Sequence, residues 1–255
     1  MTYSKLAQTY YPAYTGNYTK GRKSKITEIT IHHCGGIITA KQCGDLWKKV
    51  SRKGSSHYGI GYNGEIYCYV KEEDTAWTNS HWASNCRSVT IETSNDKTGG
   101  DWHVSDASLN SLIKLVADIA KRNNLGKLVK GKNLTWHSMY ASTACPGPYL
   151  KSKLDYICNE ANKINQGKEI TPVQNTFLPA RGYFQKGDKS DNVAKIASFM
   201  RKTFPSYTSS KALGPIYGDN LIKAIKTFQS RTGLTTDGCV GKLTLAKLVQ
   251  YGFKY

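Results

Sequence analysis

Three side chains able to bind a transition metal occur at separate points of this sequence. His137 and Cys145 lie eight residues apart in LTWHSMYASTACPGP, residues 134–148, and His32 lies in ITIHHC, residues 29–34. Imidazole nitrogen and thiolate sulfur are ligand types that zinc prefers. Three protein ligands with a fourth position left for water are typical of a catalytic zinc site. The alternative is a histidine unrelated to a small buried cysteine, since free cysteine often belongs to a core.

A carboxylate also stands inside an apolar strand pattern. Residues 89–94 read VTIETS, which places Glu92 between Ile91 and Thr93. Hydrolysis of an amide at a zinc site needs a carboxylate that carries a proton from water to the leaving nitrogen. Glu92 is the candidate for this role. The alternative is an ordinary outward-facing residue on an alternating strand.

The surrounding patterns predict alternating strands and helices. Alternation predicts a strand over 26–32, and Asn63–Gly64 between two alternating runs predicts a hairpin. Apolar spacing predicts a helix over 40–51 capped by Thr39, and a second helix that opens at Ser105 or Asp106. A short strand is predicted over 134–137, followed by a helix after Cys145. This order predicts an α/β fold with a mixed central β-sheet flanked by helices.

The last third of the chain has a different pattern. Residues 166–180 lack periodicity and contain Pro172 and Pro179, which predicts a linker between a domain at 1–165 and a domain at 181–255. The second domain reads as three short helices, with Asp191 and Asp219 as candidate N-caps of the first two. A small helical module of this kind is not expected to be an enzyme itself.

The net charge of +18 restricts the partners of the chain. Residues 168–255 carry half of it, +9, on about a third of the length. Such a field attracts nucleic acid, an anionic membrane or an anionic cell wall. No apolar run approaches the roughly 18 residues of a membrane helix, so membrane insertion is not expected. Seven cysteines without a CxxC pair and without a secretory leader do not predict a disulfide framework.

Four motifs in this order and spacing resemble one family. They are ITIHHC at 29–34, SSHYGIGYNGEIY at 55–67, RSVTIETS at 87–94 and HSMYASTACPGPYL at 137–150. The sequence resembles the zinc-dependent N-acetylmuramoyl-L-alanine amidases of the amidase-2 family, which phage endolysins and peptidoglycan recognition proteins share. The resemblance covers roughly residues 20–160. The C-terminal domain resembles helical peptidoglycan-binding domains.

The resemblance implies roles for individual residues. His32, His137 and Cys145 match the three zinc ligands, and Glu92 matches the catalytic glutamate. Thr143 takes the catalytic position where many phage members carry an oxyanion-stabilising lysine. A group of six residues is implied to line the substrate site: His57, Tyr58, Trp77, His81, Asn85 and Arg87.

The implied function is a zinc-dependent peptidoglycan hydrolase of the endolysin type. It would cleave the amide between N-acetylmuramic acid and the L-alanine of the stem peptide, with Zn²⁺ as cofactor. Peptidoglycan is the expected partner, anionic cell-wall polymers are possible partners, and a holin-type pore is implied for release from the host cytoplasm to the wall. The alternative is a non-catalytic peptidoglycan-binding protein. Nucleic-acid binding is not expected, because no basic helix or aromatic RNA-binding motif accompanies the charge.

Overall fold

The chain divides into two compact units, Met1–Val173 and Gln174–Tyr255. The computed structural model describes residues 3–168, 177–179, 181–208 and 213–254. The division falls inside the stretch predicted to be a linker, and residues 169–176 and 180 of that stretch lie outside the described residues. Each unit has a hydrophobic core of its own. No helix among the described residues is long and apolar enough to cross a membrane.

Unit 1, Met1–Val173, is a mixed α/β structure, as the sequence predicts. Its strands are β1 (Thr9–Tyr10), β2 (Tyr18–Thr19), β3 (Glu28–His33), β4 (Tyr58–Ile60), β5 (Ile66–Cys68), β6 (Thr75–Ala76), β7 (Ser88–Thr93) and β8 (Leu134–Trp136). Its helices are α1 (Ala40–Trp47), α2 (Trp82–Arg87), α3 (Asp106–Arg122) and α4 (Gly147–Asn165). Six strands form the central sheet in the order β1-β5-β4-β7-β3-β8. The β4–β5 pair is antiparallel and every other pair in this sheet is parallel.

The central sheet has one apolar and one polar face. On β3, Ile29 and Ile31 are fully buried in the core that α3 and α4 complete. The alternate residue Thr30 points to the other face, where its hydroxyl contacts the hydroxyl of Thr135 on β8 (2.9 Å). Because successive side chains of a strand alternate, the motifs that supply core residues on one face supply polar residues on the other.

Local signals in the sequence account for the ends of several elements. Thr39 caps α1 in a capping box with Gln42, and Ser105 caps α3 by accepting from the Ser108 amide. Gly64 has a φ of 86° in the turn between β4 and β5, which confirms the predicted hairpin. The helix predicted over 40–51 ends earlier, at Trp47, because residues 50–52 form a separate 3₁₀ turn.

The N-terminal segment extends the sheet system. β1 adds to the edge of the central sheet by parallel pairing with β5, and β2 pairs with β6 in a separate two-stranded sheet. Tyr3 and Tyr10 stack with their ring centroids 5.5 Å apart. The irregular composition of this segment did not indicate these short strands.

Unit 2, Gln174–Tyr255, is helical, as predicted. It contains β9 (Tyr183–Phe184), α5 (Asp191–Thr203), α6 (Asp219–Arg231), β10 (Val240–Gly241) and α7 (Lys242–Gln250), with β9 and β10 paired antiparallel. The predicted caps Asp191 and Asp219 are the first residues of their helices and not the N-caps. Ser190 caps α5 through its hydroxyl, and Gly218 precedes α6 without a side-chain cap. Both carboxylates still favour their helices, because negative charge in the first turn opposes the helix dipole.

The packing of α3 on the sheet predicts a selective loss of stability. Leu112→Ala removes a fully buried side chain and is expected to lower the free energy of unfolding of unit 1 by about 2–5 kcal/mol. Leu46→Ala removes a side chain that is 37% exposed, and its expected cost is below about 1 kcal/mol. Hydrogen exchange of β7 and α3 amides in the full chain measures both changes. Equal losses in the two variants would contradict this packing.

Candidate active site

Strand register brings two predicted ligands and the predicted carboxylate together. His32 lies near the end of β3 on the polar face and is 1% exposed. The parallel pairing of β3 with β7 places His32 opposite Glu92. On the other side, Ile31 pairs with Trp136 at the end of β8, so His137 emerges beside His32.

The third predicted ligand returns to this point through the loop after β8. The amide of Ser138 donates to the carbonyl of Cys145 (3.1 Å), which folds the loop back on itself. The amide of His33 donates to Cys145 Sγ (3.4 Å). The Cys145–Pro146 peptide bond is cis. These contacts hold Cys145 Sγ 3.6 Å from His32 Nδ1.

The ligand atoms of His32, His137 and Cys145 all lie within 4.8 Å of one another. The two imidazole ring centroids are 4.5 Å apart, with the ring planes tilted by 49°. His137 Nε2 is buried and has no hydrogen-bond partner among the described residues. A buried polar nitrogen without a partner is costly in a folded protein, and a bound cation removes that cost.

The protonation states of the cluster suit a divalent cation. Burial lowers the pKa of His32 to about 3, and the neighbouring His137 ring contributes to this shift, so the imidazole is neutral. Burial also lowers the pKa of His137. Burial raises the pKa of the Cys145 thiol, which therefore keeps its proton until a cation compensates the thiolate charge. Two neutral imidazole nitrogens and one sulfur are a donor set that fits zinc.

Asn79 fixes the orientation of His32. Its Oδ1 lies 2.8 Å from His32 Nε2, so Nε2 carries the ring proton and Nδ1 is left to face Cys145. Asn79 is itself held in place, because its Nδ2 donates to Ser84 Oγ (2.6 Å) and its amide donates to Asn85 Oδ1 (2.8 Å). The segment before α2 therefore supports a ligand on β3.

Glu92 lies beside the cluster, opposite His32 in the strand register. Its Oε2 is buried without a hydrogen-bond partner among the described residues. Burial raises the pKa of Glu92 to about 8, against the opposing effect of the positive charge of Arg52. Its neighbour on β4 is Gly59, and a Cβ at that position would lie 2.2 Å from Tyr69 Oη. Glycine at 59 thus makes room for the ring of Tyr69 at the strand position that pairs with Glu92.

The two predicted substrate-binding residues at the start of β4 point in opposite directions. His57 is fully buried in the polar layer, where its Nδ1 contacts Thr90 Oγ1 (3.0 Å) and its Nε2 contacts Arg22 Nη2 (2.7 Å). Tyr58 lies on the apolar face, and its hydroxyl donates to Glu72 (2.5 Å). This placement corrects the expectation that Tyr58 lines the site, because alternation along the strand turns its side chain into the core.

The other predicted residues make contacts of different kinds. Asn85 acts through Asn79, and Thr143 Oγ1 accepts from the amide of Cys145 (3.2 Å). His81 is exposed, caps α2 and stacks on Tyr140 with 5.8 Å between ring centroids. Two residues make polar contacts elsewhere: Trp77 Nε1 donates to Thr19 Oγ1 (2.9 Å), and Arg87 pairs with Glu28 (3.0 Å). Contact of any of them with a substrate stays a prediction.

Sequence reasoning missed Asn79 and Arg22. Asn79 is separated from His32 by 47 positions, and Arg22 from His57 by 35, so no local periodicity links either pair. The only available signal for Asn79 was its place in the polar run TNSHWASN before a predicted strand. Arg22 lies in the basic run GRKSK of residues 21–25, but its guanidinium donates to three backbone carbonyls, those of Glu72, Cys86 and Ser88.

The contact between Asn79 and His32 predicts a metal-binding defect. Asn79→Ala removes the acceptor that orients the ring, so zinc affinity is expected to fall about 10- to 100-fold. Asn159→Ala, at an exposed position on α4, is the matched control and should leave the affinity unchanged. Competition with a chromogenic chelator measures both constants. Unaltered affinity in the Asn79 variant would contradict the orienting role.

Comparisons with known proteins agree with this geometry. The family model for N-acetylmuramoyl-L-alanine amidase matches residues 22–148, and the model for a peptidoglycan binding domain matches residues 206–248. The first match contains Glu92 and all three residues of the candidate metal cluster. The second lies entirely in unit 2. No curated protein is similar enough in sequence to match the chain.

Solved structures share the fold of unit 1. The structure of PlyL is 16% identical with a TM-score of 0.51, covering 62% of this chain and 97% of that one. A mutant endolysin from Bacillus subtilis is 19% identical with a TM-score of 0.50, covering 60% and 98%. A selenomethionine AmpD derivative is 18% identical with a TM-score of 0.50, covering 61% and 96%. Residues 22–148 are therefore similar to the N-acetylmuramoyl-L-alanine amidase family, and unit 1 shares the fold of these solved structures.

Proposed function

We propose that this chain is a zinc-dependent peptidoglycan hydrolase that cleaves the amide between N-acetylmuramic acid and the L-alanine of the stem peptide. The observation that carries the proposal is that Glu92 pairs across the strands with His32, which belongs with His137 and Cys145 to a cluster whose ligand atoms lie within 4.8 Å of one another. His137, Cys145 and Glu92 are only half-buried, which leaves the cluster open to a substrate.

His32, His137 and Cys145 would hold the metal. Zinc bound there supplies a Lewis acid that polarises the scissile carbonyl and acidifies an attacking water. Asn79 keeps His32 in the tautomer whose Nδ1 lone pair is available. The Thr143 hydroxyl accepts from the Cys145 amide, which steadies the loop that carries the sulfur ligand.

Glu92 is suited to move the proton. Once ionised, a carboxylate whose pKa is raised by burial is a stronger base than an exposed one, and a cation bound at the neighbouring cluster would favour that ionised form. The ionised group accepts a proton from the attacking water and then delivers that proton to the nitrogen of the departing alanine. Proton transfer by a positioned side chain contributes about 10²- to 10⁴-fold to such reactions.

Unit 2 is proposed to bind the polymer that unit 1 cleaves. A second binding site on one chain raises the effective concentration of the substrate at the first. The high positive charge of the chain adds attraction to anionic wall polymers. Release through a holin-type pore from the cytoplasm of a host bacterium stays an expectation.

The role of Glu92 predicts a variant that binds zinc but does not hydrolyse. Glu92→Gln is expected to lower the rate of amide cleavage about 10²- to 10⁴-fold, because the amide side chain cannot accept the proton. Zinc content, measured by elemental mass spectrometry, should stay at the wild-type level. Glu73→Gln, at an exposed carboxylate, is the control and should retain full activity. Wild-type turnover in the Glu92 variant would exclude the mechanism.

Digestion of purified cell wall tests the bond that is cut. The proposal expects new N-terminal alanine amines together with stem-free glycan in the mass spectrum of the digest. Cys145→Ser, which replaces the sulfur ligand, should abolish both products and lower the zinc content. A chain that binds peptidoglycan without catalysis would retain binding and give neither product. Full hydrolysis in the presence of a strong chelator would overturn the metal-dependent reaction.

A further inference from the structure

We propose that unit 1 carries a second binding site, specific for a phosphate group on a saccharide, in a cavity beside α2. The cavity has a volume of about 400 Å³. Its lining includes Lys23, Lys25, Thr27, Trp82 and Arg87, and we call it the Trp82 pocket. The inference rests on the proposed function only in that the cell wall would supply the phosphorylated saccharide.

Trp82 is the apolar surface of the pocket. It is the first residue of α2, and 47% of its surface is exposed. Among the described residues its ring has no aromatic partner and no cation above it, in contrast to Trp47 and Trp102. Exposure of a large indole to water is unfavourable in free energy. Its flat face is suited to contact the C–H groups of a sugar ring.

The charges of the pocket are all positive. Lys23 and Lys25 are exposed, and neither forms an ion pair within the described part of the chain. Arg87 already pairs with Glu28, whose Oε1 also accepts from the hydroxyls of Ser88 and Tyr140. The two lysine ammonium groups therefore dominate the field. Lysine binds phosphate as a point charge, whereas a peptide carboxylate favours the planar fork of a free arginine.

The walls of the pocket are fixed before any ligand binds. The half-buried guanidinium of Arg22 donates to the carbonyls of Cys86 (3.0 Å) and Ser88 (2.8 Å), which anchors the neighbouring Lys23 to the end of α2. The amide of Thr27 donates to the carbonyl of Arg87 (2.9 Å). Backbone that is already ordered reduces the entropy lost on binding. Burial lowers the pKa of Arg22 to about 10, so this anchor stays charged at neutral pH.

The pocket lies away from the reacting centre but on the same side of the sheet. His81 precedes Trp82 and stacks on Tyr140, in the turn that begins at His137. Glu28 and His32 are four residues apart on β3, which corresponds to about 13 Å. A phosphate group bound in the Trp82 pocket would therefore lie apart from the scissile amide of the substrate, which is proposed to be cleaved beside Glu92. The geometry fits a phosphorylated saccharide carried by the polymer that presents the scissile bond.

Binding of a defined probe to the full chain tests the proposal. N-acetylglucosamine 1-phosphate is titrated while the indole NMR signal that Trp82→Phe removes is followed. We expect saturable binding by the wild type, about tenfold weaker binding by Trp82→Ala, and about fivefold weaker, less salt-dependent binding by the Lys23→Gln/Lys25→Gln double variant. Lys121→Gln/Lys127→Gln, in a different cavity, is the matched control and should bind as the wild type does.

Three outcomes would overturn the proposal. One is equal binding of the probe by the wild type and both pocket variants. Another is equal affinity for inorganic phosphate and the sugar phosphate, which would leave the indole without a role. The third is saturation of the pocket by a short oligonucleotide alone, which would make it a nucleic-acid site.

A second experiment separates this proposal from the proposed hydrolysis. Wall sedimentation uses the Glu92→Gln chain, with walls tested before and after hydrofluoric acid removes their phosphate-linked polymers. Stronger binding to untreated walls that Trp82→Ala abolishes supports the pocket, and identical binding to both walls contradicts it. Failure of the amide cleavage would change neither this result nor the probe titration.

Discussion

The parallel pairing of β3 with β7 and β8 is the constraint on which the site depends. Register alone sets His32 opposite Glu92 and next to the exit of His137 from β8. A shift by one residue would turn His32 into the apolar face and Ile31 into the polar one, because side chains alternate along a strand. The core of Ile29, Ile31 and the helices therefore protects the register, and through it the geometry of the metal ligands.

The polar face of the sheet is buried, and its groups are paired with one another. Thr30, Thr90 and His57 bond to neighbours on adjacent strands or in the loop before α2. In contrast to these paired groups, His137 Nε2 and Glu92 Oε2 are buried without a hydrogen-bond partner among the described residues. Such atoms cost stability in a folded protein. Unpartnered atoms on two predicted site residues support the proposed metal ion and substrate.

The residues that support His32 come from one stretch of chain. Asn79 orients His32, and Asn85 holds the Asn79 backbone; α2 follows directly and carries Trp82. Arg22 and the Glu28–Arg87 pair anchor the far end of the same layer. The ligand cluster and the Trp82 pocket therefore both border the same buried polar layer of the sheet. A single segment over 77–88 links the candidate metal site to the proposed Trp82 pocket.

The sequence by itself predicted the main elements and the candidate reacting groups. Alternation at Ile29 and Ile31, apolar spacing along α3 and the caps at Thr39 and Ser105 predict local structure because their periods are set by the backbone. The spacing of His32, Glu92, His137 and Cys145 identified the chemistry through the family resemblance. Only the tertiary structure decided that His57 joins the polar layer while Tyr58 enters the core, and that Asn79 and Arg22 hold the site. Those contacts join positions 35 to 66 residues apart, and their energy depends on burial, which a local pattern does not encode.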